Sequence, residues 1–291
     1  MVGRARRRCR RHQGAGCLWL AAFAVVTTQA ATGSATAVQD TPTPGQHAPA
    51  LGQEGKDVEW VPTPDALVQT MLAMAKVTPE DFVVDLGSGD GRTVIEAARL
   101  GARAVGVEYD AGLVALSRER AEAAGVGERA RFVQADLFEA DLTEATVVTL
   151  FLLPDLNLAL RPRLLRLPPG TRVVSNTWDM GDWAADAAVV LDPCPGFCTA
   201  LLWVVPAQVG GDWAASDGSL TLSLAQQYQT VSGVLRRGGE RHEVEEGRLS
   251  GADLTFRAGG VRYRGRVSGD RLAGTAATGE RASRWSARRT R

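Results

Sequence analysis

Three carboxylates and a cluster of glycines carry the chemistry that can be read from this chain. Asp85 ends the apolar stretch Phe82-Val-Val-Asp and runs straight into Gly87-Ser88-Gly89-Asp90-Gly91. Glycines there allow backbone angles closed to other residues and let the chain approach a ligand closely. Glu108 ends the next apolar stretch, 103–108, where an acid can accept both hydroxyls of a ribose. Asp136 follows a third stretch, Arg131–Gln134, and is placed to accept from an adenine amino group, with Leu137 and Phe138 beside the ring. Taken singly, each has a plain structural reading: a tight turn, a helix-capping acid, a surface carboxylate. Taken in this order and spacing, they describe a crevice for a nucleoside.

Such a crevice needs strands that end together. From Asp81 onward, apolar strand and helix patterns alternate: 82–85, 91–100, 103–107, 111–124, 131–134, 146–152, 155–166 and 171–175. Alternation of this kind predicts a doubly wound parallel sheet whose ligand lies at the carboxyl edge. Upstream, Thr63 suits an N-cap and Pro64 the first position of a helix running to about Lys76. Ala187–Leu191 and Thr199–Val205 would close the sheet as an antiparallel hairpin around Cys194-Pro-Gly-Phe-Cys198, and no long helix fits between 176 and 186. After Pro206 the helical period gives way to seven short alternating strands: Ser219–Ser223, Thr230–Val234, Gly247–Leu249, Asp253–Phe256, Val261–Val267, Arg271–Thr275 and Ser283–Ala287. This spacing predicts an antiparallel meander closing into a small barrel or sandwich. The expected fold is therefore α/β, a Rossmann-like sheet followed by a small all-β domain. The expected division is a signal peptide (1–37), a linker (38–57), the α/β domain (58–205) and the β-domain (206–291).

Asp85-Leu-Gly-Ser-Gly-Asp-Gly91 with Glu108 and Asp136 resembles the S-adenosylmethionine site of class I (seven-strand) methyltransferases. A nicotinamide site would want a third glycine at position 92, which is Arg. Trp60-Val-Pro-Thr-Pro64, the run 145–154 (Ala-Thr-Val-Val-Thr-Leu-Phe-Leu-Leu-Pro), Asn157 and Pro169-Gly-Thr-Arg-Val-Val-Ser175 are similar to a narrower group. These are small bacterial relatives of the lysine methyltransferases that modify the ATP synthase c-subunit and the adenine nucleotide translocase. The resemblance spans 58–205. It implies S-adenosylmethionine as cofactor, held by Asp85, Gly87, Ser88, Gly89, Asp90, Gly91, Glu108, Asp136 and Leu137. It also implies a protein amine as methyl acceptor, near Pro154 and Asn157. The run Phe151-Leu-Leu-Pro-Asp155 stands where other amine methyltransferases place Asn/Asp-Pro-Pro-Tyr, and its two leucines argue against a nucleic-acid or glutamine substrate. Asn157 has two other readings, as a polar contact to the Thr63 segment and as an early helix residue. Trp178, Asp179 and Trp183 are either a cation-holding rim or a cover over the sheet's end. A competing function is an exported module that binds a nucleoside or a partner without turnover.

Hydrophobic residues make up 45% of the 291, ordinary for a protein with a substantial core. Formal charge is zero, yet residues 1–37 hold six arginines and no acid, so beyond them 33 acidic residues face 27 basic ones. An acidic remainder makes sequence-independent nucleic-acid binding unexpected. The arginines precede an apolar run, 14–26, and then small residues, the layout of a secretory leader. The protein is thus expected to be exported or periplasmic with no membrane span after cleavage. An uncleaved leader would leave it anchored, and a downstream start would leave it cytoplasmic. Cys9 and Cys17 depart with the leader. Cys194 and Cys198 are either bridged in an oxidising compartment or free. With only three histidines in the chain, no metal site is expected.

Overall fold

The computed structural model describes residues 60–194 and 196–290. The expected leader and linker, with Cys9 and Cys17, lie outside the described residues. Five parallel strands form the heart of the first sheet: β1 (Phe82–Leu86), β2 (Arg103–Glu108), β3 (Ala130–Gln134), β4 (Val147–Leu150) and β5 (Arg172–Asn176). Strands β6 (Ala187–Val190) and β7 (Thr199–Val204) complete it, and the order is β3-β2-β1-β4-β5-β7-β6 with β7 antiparallel to both neighbours. Val83, Val84, Leu86, Val147, Val148, Val173 and Val174 are all buried, because helices cover the sheet. Helices α1 (Asp65–Met74), α2 (Arg92–Arg99) and α3 (Ala111–Ala123) pack with Val83, Phe132 and Val174 in one apolar cluster. Helix α4 (Pro154–Leu164) buries Leu160 and Leu164 in a second cluster with Leu150, Trp183 and Trp203.

The start of α1 corrects the sequence reading. Pro64 occupies the cap position itself, and the helix ends before Lys76, which has φ 51°. The Thr63 hydroxyl accepts from Asn176 Nδ2 at 3.3 Å instead of capping the helix. Asp110 does cap α3, its Oδ1 accepting from the Leu113 amide at 2.8 Å.

The second sheet is wholly antiparallel and has nine strands where seven were expected: β8 (Gly211–Ala214), β9 (Leu220–Gln227), β10 (Thr230–Arg237), β11 (Glu240–Glu243), β12 (Glu245–Ser250), β13 (Asp253–Ala258), β14 (Val261–Ser268), β15 (Arg271–Thr278) and β16 (Arg281–Arg289). Pairing of β9 with β10 closes eight of them into a barrel, and β11 extends β10 as a hairpin arm. The two strands missed have no apolar alternation to read: β8 is short and starts on glycine, and β11 is Glu-Arg-His-Glu. Leu222, Leu235, Leu254, Phe256, Tyr263 and Leu272 fill the barrel, with the Phe256 and Tyr263 rings stacked 4.6 Å apart.

Barrel and first sheet meet in one packed body. The Tyr228 ring, in the β9–β10 turn, stacks on Trp183 with centroids 6.0 Å apart. Tyr228 Oη donates to Asp182 at 3.0 Å and Gln229 Nε2 to the Ala184 carbonyl at 2.6 Å. Trp183 is fully buried and packs on Trp203 as well, so it is core and not part of a rim. Cys194 and Cys198 form a disulfide, their Cα atoms 5.6 Å apart.

Candidate active site

At the carboxyl ends of β1, β2 and β4 lies a cavity of about 460 Å³, a size typical of small-molecule sites. Asp85, Gly87, Ser88, Gly89, Asp90, Glu108, Asp136 and Leu137 all line it. The glycine loop is pinned to β2, since the amides of Gly87 and Ser88 both donate to the Val107 carbonyl, at 2.9 and 3.1 Å. The Gly89 amide donates to Glu108 Oε2 at 2.8 Å, and its carbonyl accepts from Ser117 Oγ at 2.9 Å. Gly89 has φ +53°, and a Cβ there would fall 2.4 Å from Trp60 Nε1. Any side chain would therefore close the space between the loop and Trp60, which also lines the cavity.

Negative charge is concentrated here. Asp85 accepts from Thr149 Oγ1 at 2.6 Å. Burial, with Glu108 and Asp90 close by, nonetheless pushes its carboxyl up to about 7 against the pull of that hydrogen bond. Asp90 is also buried, which would raise it, but it accepts from Arg92 (2.6 Å to Nη2) and from Arg120, and these guanidiniums hold it below the usual carboxylate range. Asp90 thus braces the loop through two ion pairs. Asp136 Oδ1 accepts from the Phe138 amide at 2.8 Å, which fixes the turn after β3 against the cavity.

Three residues expected at the site lie off the cavity wall. Gly91 is the N-cap of α2 at φ +80°, and a Cβ there would strike Phe132 and Ser117 at 2.8 Å, so its role is helix-to-sheet packing. Pro154 opens α4. Asn157 is fully buried, and its Nδ2 donates to the carbonyls of Trp178 (3.0 Å) and Asp179 (3.3 Å), clamping the segment after β5 onto α4. The contact with Thr63 belongs to Asn176. The structure adds Met71, Tyr109, Leu113 and Phe151 to the wall. Tyr109 was signalled by its place directly after the acid that ends β2; Met71 and Leu113 are helix residues that look like core.

An acid-rich, partly apolar cavity at the strand ends of a seven-stranded sheet in this order, with an antiparallel β7, defines a class I methyltransferase. Residues 85–187 match the family model described as the ANTKMT methyltransferase domain. A protein-lysine N-methyltransferase of Saccharolobus islandicus is 46% identical over 129 residues, covering 43% of this chain and 80% of that protein. The adenine nucleotide translocase lysine N-methyltransferase of Mus musculus is 32% identical over 166 residues, covering 56% and 69%. The mouse lysine N-methyltransferase of the ATP synthase c-subunit is 40% identical over 128 residues, and this chain spans 51% of its length. Among solved structures, an RNA methyltransferase from Salinibacter ruber, in complex with S-adenosylhomocysteine, is 52% identical over 51% of this chain and 96% of that one, with a TM-score of 0.49. The chain belongs to this family of S-adenosylmethionine-dependent methyltransferases, related to the lysine enzymes of the ATP synthase c-subunit and the adenine nucleotide translocase.

The residues present fit that cofactor. Gly87 and Gly89 line the cavity with bare backbone, where a Cβ would meet Leu152 at 2.9 Å and Trp60 at 2.4 Å, so the loop leaves room for close approach of a ligand. Asp85, Glu108 and Asp136 are hydrogen-bond acceptors suited to a cationic nucleoside, and Leu137, Phe138 and Leu152 supply apolar wall. The reading of a silent nucleoside-binding module gains nothing from these relatives, all of which are named as methyltransferases.

Proposed function

We propose that this enzyme methylates the ε-amine of a lysine in a protein. The observation that carries the proposal is the 46% identity to the Saccharolobus islandicus protein-lysine N-methyltransferase, across 80% of that protein. In this reading Glu108 holds the ribose hydroxyls, Asp136 and Leu137 the adenine, and Asp85, Gly87, Ser88 and Gly89 the amino-acid end. Asp90 and Gly91 shape the loop. The bound cofactor supplies a methyl group already activated on a sulfonium. What remains for the chain is placement, worth up to roughly 7–11 kcal/mol in well-oriented reactions, and removal of a proton from an amine that titrates near about 10.4 in water. The aliphatic wall formed by Leu150, Leu152 and Leu156 disfavours an ammonium and so lowers its pKa.

Incubating a native lysate with the protein and methyl-labelled cofactor tests this. N-methyl-lysine in the acid hydrolysate, with label that is protease-sensitive and nuclease-resistant, is the expected result. Label in RNA, or in another amino acid, overturns the lysine assignment.

We also propose export, supported by the leader-like pattern of residues 1–37 and by the Cys194–Cys198 disulfide. An uncleaved chain found in the cytosol by mass spectrometry would rule it out. Among the described residues, no helix is long and apolar enough to cross a membrane.

A further inference from the structure

Three aromatic rings from three different segments contact one another in series, Phe151–Phe197–Trp178, beginning at the cavity wall. Phe151 follows β4 and lines the cavity wall. Phe197 lies in the turn closed by Cys194 and Cys198, and its ring centroid is 5.4 Å from that of Phe151. Trp178, after β5, approaches Phe197 at 6.3 Å. Phe197 remains 41% exposed although it is large and apolar. Both turns that carry these rings are held in conformations their residues avoid: Phe197 has φ 53° and Thr177, just before Trp178, has φ 62°. A bulky or β-branched residue with positive φ is an outlier, and such strain persists where surrounding structure over-determines it, typically at functional sites. Here the surroundings can be named. The Thr177 amide donates to the Thr199 carbonyl at 2.7 Å, Asn157 holds the Trp178 carbonyl at 3.0 Å, and the disulfide closes the turn of Phe197.

We propose that Phe151, Trp178 and Phe197 form an aromatic port that receives the alkylammonium side chain of the methyl acceptor, with the Cys194–Cys198 disulfide fixing the Phe197 wall. The port rests on the lysine reading above and gives it a specificity element. Ring faces attract a cation through their quadrupole, and the same rings pack on the methylene stem of a lysine. A side chain with the same four-carbon stem and no ammonium gains only the second interaction.

The test uses the full chain saturated with S-adenosylhomocysteine, titrated by NMR with Nα-acetyl-lysine methylamide and with Nα-acetyl-norleucine methylamide. The wild-type protein is expected to prefer the lysine compound by about tenfold. Phe197→Leu keeps an apolar side chain and removes the ring; it should reduce that preference at least severalfold while leaving affinity for S-adenosylhomocysteine unchanged. The Cys194→Ser, Cys198→Ser double variant should do the same. A wild-type protein without the preference overturns the port, as do variants that retain it in full. If the wild type lacks the preference yet forms N-methyl-lysine in the lysate experiment, the port alone falls. If no N-methyl-lysine forms, the lysine reading falls and takes the port with it.

Discussion

The Glu108 carboxylate accepts the Gly89 amide at 2.8 Å through one oxygen and the Asp110 amide at 3.0 Å through the other. The acid at the end of β2 is therefore tied both to the glycine loop after β1 and to the residue that caps α3. One side chain sets the spacing of two walls of the cofactor site.

Glu108→Ala should accordingly weaken S-adenosylmethionine binding by about 1.5–3 kcal/mol, the range for losing a charge-assisted hydrogen bond. Calorimetric titration measures this directly. An unchanged affinity would remove Glu108 from the site.

Gly89→Val should abolish cofactor binding while leaving the far-ultraviolet circular dichroism close to wild type. The added atoms meet the Trp60 ring, at 2.4 Å for Cβ alone, and the backbone sits at a φ that a β-branched residue avoids. A variant that binds normally would reduce the loop to a structural turn.

Asp85 makes binding depend on pH. Its carboxyl is raised from 3.8 to about 7 in the fold. Between those values the folded protein keeps a proton that the unfolded chain has released, so this group's contribution to stability is present below about 4 and lost as pH rises through 7. A cationic ligand favours the ionised form. Affinity for S-adenosylmethionine should therefore rise with pH, by up to about tenfold per unit below 7, and level off above it. Asp85→Asn should flatten the profile. A flat wild-type profile would exclude Asp85 from the linkage.

The barrel should stabilise the methyltransferase sheet. Tyr228 covers buried Trp183, and Gln229 satisfies the Ala184 carbonyl. Tyr228→Ala should cost about 1.5–3 kcal/mol, less than the ~3–5 kcal/mol of a fully buried aromatic, because this ring is half-buried. A chain ending at Ala207 should melt lower than the full chain even though every residue lining the cofactor cavity precedes position 157. Thermal unfolding decides the point, and equal melting temperatures would show that the barrel is only tethered.

The sheet and the cofactor loop were legible because their signals are local. A strand buried on both faces must be apolar along its whole length, and a backbone that approaches a ligand must carry glycine, so Val83-Val84-Asp85 and Gly87-Ser-Gly89 announce themselves. Barrel strands with one face inward, such as Leu220–Gln227, show the period of two. Strand β11 shows nothing, since a polar hairpin arm has no buried face to mark.

The residues on which the sequence was silent are those whose role depends on a distant partner. Asn157 reads equally well as a substrate contact or a helix residue, and only the arrival of the Trp178 and Asp179 carbonyls makes it a clamp. Trp183 reads as either a rim or a cover until Tyr228, from the β9–β10 turn, stacks on it. Sequence alone determined the fold class of the first sheet and the residues of the strand ends that line its cavity, because chain connectivity and side-chain chemistry suffice for those. Tertiary structure alone decided which aromatic rings are core and which stand beside the cavity, because long-range packing brings together rings that lie far apart in the chain.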